Sequence, residues 1–167
     1  MVNSRLDSLW KTYEHVSDWI RFADTKASTI IGINAILAGF TVSSLPALKT
    51  VLLGNTVLTT IAVFAAVSSL ASVYFSLRCL NPTFNVGEPT SSIYFAHIAL
   101  RFNSAEQYSQ HIQECLNDQS KFDSHIASEI WANSMIAWKK YRAITWSTWL
   151  LAASIAVSVI GVIVSFV

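Results

Sequence analysis

Charged side chains are scarce in this chain. Only 13% of its 167 residues are Asp, Glu, Lys or Arg, against roughly 25% in an average soluble domain. The net charge is +1, so the chain lacks the basic surplus with which proteins neutralise the phosphates of nucleic acids. This composition argues against a soluble globular domain and against nucleic acid as a main partner.

Catalytic and metal-binding motifs are also missing from the sequence. There is no GxSxG, no Walker-type GxxxxGK[ST] and no HExxH motif. Cys79 and Cys115 are not in CxxC spacing, and only His111 shares a helical face with one of them, Cys115. Two soft ligands do not make a metal site. We therefore expect reduced, inert thiols, no metal, no cofactor and no enzymatic activity.

The apolar residues, by contrast, are concentrated in three long segments that contain no charged residue. Each is longer than the ~20 residues with which an α-helix crosses a ~30 Å hydrocarbon core. Pro46 and the pair Gly54-Asn55 interrupt the first two segments, which is typical of a turn. The sequence predicts an all-α integral membrane protein, with a short external turn at residues 49–55 and transmembrane helices at residues 27–48, 56–78 and 143–167.

The cations lie almost entirely on one side of these segments. Of the eleven Lys and Arg residues, only Lys49 falls in the predicted external turn. Lys and Arg resist translocation and collect in the cytoplasm. We therefore predict a multi-pass protein with a cytoplasmic N-terminus and an external C-terminus.

In two further segments the apolar residues have the spacing that is typical of helices packed against each other. Apolar residues recur at alternating three- and four-residue steps from Leu6 to Ala27 and from Ala127 to Ile144. We predict that an amphipathic helix at residues 1–26 continues into the first span without a break, and that an equivalent stalk leads into the third span. The two stalks would pack together in the cytoplasm.

Residues 79–142 form the rest of the predicted cytoplasmic helical region. Residues 85–90 indicate a loop, and a short helix should follow at residues 91–101. Ser104 with Gln107 is typical of a capping box that opens a helix ending near Asn117. Ser120 with Asp123 is a weaker start signal for the long last helix.

Asn34 is the one strongly polar side chain in the first span. An unpaired amide in hydrocarbon is costly, so Asn34 must face protein or water. It either donates a hydrogen bond to a neighbouring helix or lies at a subunit seam or pore lining. Gly32 and Gly39 allow close approach of another helix, and we expect the chain to form a homo-oligomer.

The cations at the span entrances are candidate ligand-binding residues. If the stalks pack, two basic clusters meet at one membrane depth and repel each other unless an anion intervenes. They are either ordinary flanking cations in contact with lipid headgroups or the site of a phosphate-bearing ligand, whose base would stack on an aromatic ring. The candidate ligand-binding residues are Arg21, Lys26, Lys140, Arg142, Tyr141, Trp131 and Tyr94.

Three sequence elements resemble a known family. They are WIRFADTKAS at residues 19–28, IYFAHIA at residues 93–99, and residues 134–143 with Lys140-Tyr141-Arg142. Together they resemble the transmembrane effectors of bacterial Pycsar antiphage systems. The resemblance implies a partner cyclase that makes cyclic CMP or cyclic UMP on infection. It also implies that this messenger activates an inner-membrane effector, which impairs the membrane in an abortive infection.

Two other functions are open on the sequence alone. A constitutive pore of the holin kind would need no messenger and would kill on expression. A structural membrane anchor would hold a soluble partner through residues 91–117 and would never depolarise cells.

Overall fold

The structure, a computed structural model, describes residues 2–46, 49, 54–81 and 91–166. Within these residues it is helical and contains no β-strand. Three helices are long and apolar enough to cross a membrane, so the predicted all-α fold with three spanning helices is confirmed. The helices are α1 (Val2–Ser43), α2 (Thr56–Leu80), α3 (Phe95–Arg101), α4 (Ala105–Asn117) and α5 (Gln119–Ser165).

The two longest helices each run without interruption. α1 has 42 residues and α5 has 47, so the apolar spacing before the first and third spans does belong to the same helices as those spans. Most of the turn predicted at 49–55 and all of the loop predicted at 85–90 lie outside the described residues.

Polar caps account for most of the observed helix starts. Asn55 accepts hydrogen bonds from the backbone of Val57 and Leu58 at 3.0 and 3.3 Å and begins α2. Ser104 accepts from the backbone N–H of Gln107 at 3.3 Å, which confirms the predicted cap of α4.

Two helix starts differ from the expectation. α5 begins one residue earlier than Ser120, because Asp118 accepts from the backbone N–H of Lys121 at 3.1 Å. The helix predicted from residue 91 begins at Phe95, because the Ser91 hydroxyl accepts from the backbone of Ile93 and Tyr94 in a turn that precedes the helix.

The described residues divide into two compact units. Unit 1 comprises residues 1–21 and 82–138, and unit 2 comprises residues 22–81 and 139–167. The core of unit 1 holds Cys115, Phe122 and Ile126, packed against apolar side chains of α1, α4 and α5. It is a small apolar core of the ordinary soluble kind.

In unit 2 many large apolar side chains lie on the surface and mostly small residues lie inside. Its buried residues are mostly small, such as Ala23, Ala27 and Ser72, whereas large apolar side chains such as Leu70 and Trp149 are exposed. Small residues let helix backbones approach closely where lipid removes the hydrophobic drive for helix association. This arrangement is the one expected of helices surrounded by hydrocarbon.

At Gly161, α5 packs directly against Ile61 of α2. A Cβ added at Gly161 would lie 2.9 Å from Cγ2 of Ile61.

We expect Gly161→Val to push the two helices apart and to lower the free energy of unfolding in detergent by about 1–3 kcal/mol, the usual cost of overpacking. The matched control is Val162→Leu on the exposed face of the same helix. Equal stability of the two variants would show that the contact is not made.

Candidate functional site

An ion pair between a buried lysine and a partly exposed aspartate joins helices of unit 2. The ammonium group of Lys140 on α5 donates to the carboxylate of Asp24 on α1 and, at 2.8 Å, to the backbone carbonyl of Cys79 at the end of α2. Lys140 is only 8% exposed. We call the arrangement of Lys140, Asp24 and the Cys79 carbonyl the polar node. It ties three helices together at one level.

The polar node corrects the expected arrangement of charges at this depth. From the sequence we expected cations of both stalks at one membrane depth, where they would repel each other unless an anion or a lipid headgroup intervened. Instead, Asp24 itself supplies the anion for Lys140. The pair is electrically neutral, so no external anion is needed to hold α1 and α5 together.

A ladder of buried polar side chains extends along unit 2 beyond the polar node. Ser76 and Ser147 share a hydrogen bond of 2.7 Å between their hydroxyls. Ser72 and Ser147 each donate to the other's backbone carbonyl, at 2.9 and 2.7 Å. Farther along, Ser154 donates to the carbonyl of Ala65 at 2.9 Å. These bonds tie α2 to α5.

Asn34 connects α1 to the same ladder. It is 2% exposed. Its side-chain amide donates to the Ser72 hydroxyl at 3.3 Å, and its side-chain oxygen accepts from Ser69 at 2.6 Å. Of the two roles open to Asn34, the structure shows the hydrogen bond between helices of one chain. Gly32 and Gly39 are different, because a Cβ added at either would meet nothing within 4 Å.

The other candidate ligand-binding residues are distributed between the two units. In unit 2, Lys26 is exposed with its ammonium 4.5 Å from the Phe22 ring centroid, Arg142 is exposed, and Tyr141 packs against the buried core. In unit 1, Arg21 lies 3.5 Å from Asp18 and Trp131 is exposed. The Tyr94 ring stands edge-on to the rings of its neighbours Phe95 and His97.

Unit 1 contains a second polar cluster, centred on the buried hydroxyl of Ser92. This hydroxyl lies 3.0 Å from Nε2 of His111, 3.3 Å from Nδ1 of His125 and 3.8 Å from the sulfur of Cys115. The described residues contain no group of three His, Cys, Asp or Glu side chains arranged to hold a metal ion. The four groups form a packed hydrogen-bonding cluster.

The sequence analysis did not predict that the serines of the second and third spans form hydrogen bonds with each other. The signal was present: Ser68, Ser72 and Ser76 recur every four residues in the second span, and Ser147 and Ser154 are seven apart in the third. Such spacing places hydroxyls on one helical face.

Comparison with known families adds one finding. The family model for the Pycsar effector protein domain, PycTM, matches residues 8–166. This range includes the whole polar node and the whole ladder. No curated protein and no solved structure matches the chain.

The contribution of Asn34 to stability can be measured by substitution. We expect Asn34→Leu to lower the free energy of unfolding in detergent by about 1 kcal/mol, because interhelical hydrogen bonds between membrane helices contribute ~0.6 to 1.7 kcal/mol. Ile36→Leu, on the exposed face of α1, is the control. A change in subunit number without loss of stability would instead assign Asn34 to a subunit seam.

Unit 1 should lose stability in acid. Burial lowers the pKa of His111 below its usual 6.5, and the positive charges of Arg101, Lys121 and His125 lower it further, while Glu114 opposes them. Unfolded His111 therefore binds a proton at a higher pH than folded His111. The contribution of neutral His111 to the stability of unit 1 is complete above pH ~6.5. It is lost as the pH falls toward the pKa of His111 in the folded protein.

Hydrogen exchange of the α4 amides in the full chain measures this effect. We expect protection factors to fall between pH 7.5 and pH 5.5 in the wild type and to change less in His111→Gln, which cannot take up the proton. The same decrease in both proteins would assign the pH dependence to another group.

Proposed function

The chain belongs to the Pycsar effector family, and we propose that it is activated by a cyclic pyrimidine nucleotide, cyclic CMP or cyclic UMP, and then impairs the bacterial inner membrane. The family assignment makes it an effector of antiphage defence and implies a signal from a partner cyclase. The family match over residues 8–166 carries this proposal. Abortive infection would follow from the loss of the membrane barrier.

We propose that unit 1 lies in the cytoplasm, where a cyclase releases its product. The support is the distribution of cations, since Lys49 is the one Lys or Arg between the first and second apolar segments. In this orientation the polar node also lies at the cytoplasmic ends of the spans, within reach of a soluble messenger.

For the messenger's phosphate we propose Lys140 as the main contact. It already holds a carboxylate, and a carboxylate and a cyclic phosphate carry the same single negative charge. Lys26 and Arg142 are exposed and would attract the anion. We also propose a phosphate contact for Arg21 because of its charge. We propose stacking on the base for Tyr94, Trp131 and Tyr141 because of their aromatic rings.

For damage to the membrane we propose self-association through α1. Gly32 and Gly39 are seven residues apart on this helix, so they lie on nearly the same face. The face they share is open in the single chain. Small residues at this spacing permit close contact with a helix of a second copy. An oligomer that repacks its spans can open a leak that one three-helix bundle does not provide.

A voltage-sensitive dye in living cells tests this function. We expect cells expressing the chain to keep their membrane potential until a pyrimidine cyclase is co-expressed, and to depolarise then. The control is an inactive cyclase at the same expression level. Depolarisation without an active cyclase would indicate a constitutive pore, and no depolarisation with confirmed expression would indicate a membrane anchor.

A further inference from the structure

We propose that Asp24 occupies on Lys140 the place of the activating phosphate, so that the resting chain inhibits itself through its own carboxylate. This inference rests on the proposed function and adds the mechanism by which the resting state is held. The ligand chemistry is that of a phosphodiester carrying one negative charge. A cyclic nucleotide and a phospholipid headgroup both present this group.

The hydrogen bonds of Lys140 leave room for such a ligand. A Lys ammonium has three N–H donors. The described residues accept two hydrogen bonds from it, at Asp24 and at the Cys79 carbonyl. A third donor is therefore available to the first oxygen of an arriving phosphate, before Asp24 has left. Exchange can proceed without an unpaired ammonium at any stage.

The two partners of the ion pair differ in exposure. The side chain of Lys140 is 10% exposed, whereas that of Asp24 is 37% exposed. The cation is thus fixed within unit 2 while the anion is reachable from outside. An external anion competes with Asp24 for the ammonium group, and the partly exposed carboxylate can move into water when it is displaced.

Charge balance makes the exchange feasible. Removing Asp24 alone would leave a buried cation without a partner, which is strongly unfavourable. Replacing one singly charged anion by another keeps the pair neutral. The equilibrium then depends on the difference in free energy between the two arrangements, and a messenger can shift it through contacts that Asp24 does not make.

The exchange also has a mechanical consequence within unit 2. Asp24 is the group through which α1 joins the polar node. Ten residues farther along the same helix, Asn34 links α1 to Ser69 and Ser72. Once Asp24 is displaced, α1 is held by fewer polar contacts and can move away from α2 and α5. This movement would let α1 repack against a second copy through the face that carries Gly32 and Gly39.

The experiment measures binding of radiolabelled cyclic CMP and cyclic UMP to the purified full chain in a phosphate-free detergent. The same preparations are then reconstituted in vesicles and tested for dye release. We expect Asp24→Asn to tighten binding roughly 5- to 150-fold, the range of typical coupling between sites, or to release dye without messenger. Asp18→Asn is the matched control, because it makes the same chemical change on the same helix at an exposed ion pair.

A second variant separates loss of the ligand site from loss of the fold. Asp24→Lys combined with Lys140→Asp keeps one cation and one anion in the buried pair but reverses their positions. We expect this variant to insert and remain folded, with binding lost, because the buried position now carries an anion. Lys140→Gln should also lose binding.

Several results would overturn the inference. Wild-type affinity in Asp24→Asn with no basal leak would show that Asp24 does not compete with the messenger. Wild-type binding by the charge-reversed variant would show that Lys140 is not the phosphate contact. If Asp24→Asn instead leaks only in vesicles containing anionic lipid, and binds the nucleotides no better than wild type, the displacing phosphate belongs to a lipid headgroup.

The proposed function fails in a different way. If the wild type binds a cyclic nucleotide but releases no dye, the membrane activity is wrong while competition at Lys140 can still be confirmed by binding. If the wild type binds neither nucleotide, the proposed messenger is wrong, and if Asp24→Asn also shows no leak in vesicles with anionic lipid, the inference is wrong as well.

Discussion

The packing of unit 2 depends on polar groups that satisfy each other away from water. Ser72 and Ser147 are fully buried, and each accepts on its backbone carbonyl a hydrogen bond from the other's hydroxyl. In hydrocarbon no water can take the place of these partners, so a polar group left unpaired is costly. The three helices must therefore keep a common register along the ladder. The polar node adds a charged contact to this register.

This way of holding helices together suits a protein that has to change state. Hydrogen bonds between membrane helices contribute little each, because a displaced group finds other partners. The ladder from Ser76 to Ala65 extends over ~17 Å of α2, at 1.5 Å per residue, as a series of weak contacts. A ligand that alters one strong contact, such as the pair of Asp24 with Lys140, can then shift the balance between two packings of the helices.

The packing of unit 1 depends on apolar side chains instead of polar groups. Its core contains Phe122 and Ile126, so burial of apolar area drives its packing, as in a soluble domain. Beside the buried hydroxyl of Ser92 it also holds His111, whose lowered pKa means that its protonation opposes folding. Helices α1 and α5 each contribute to both units, so one continuous helix carries an apolar seam in one part and a small-residue seam in the other. The seam changes along the helix because the part in unit 1 packs as in water, whereas the part in unit 2 packs as in hydrocarbon.

The sequence by itself determined the features that depend on local composition. Segments without charge define the spanning helices, and Asn55 and Ser104 cap helices through their own neighbours, so both follow from residues close together in the chain. The partner of Lys140 was not determined in this way. Asp24 is 116 residues away from it, and only the packing of α1 against α5 decides that this carboxylate, among the ten acidic residues, neutralises the buried cation.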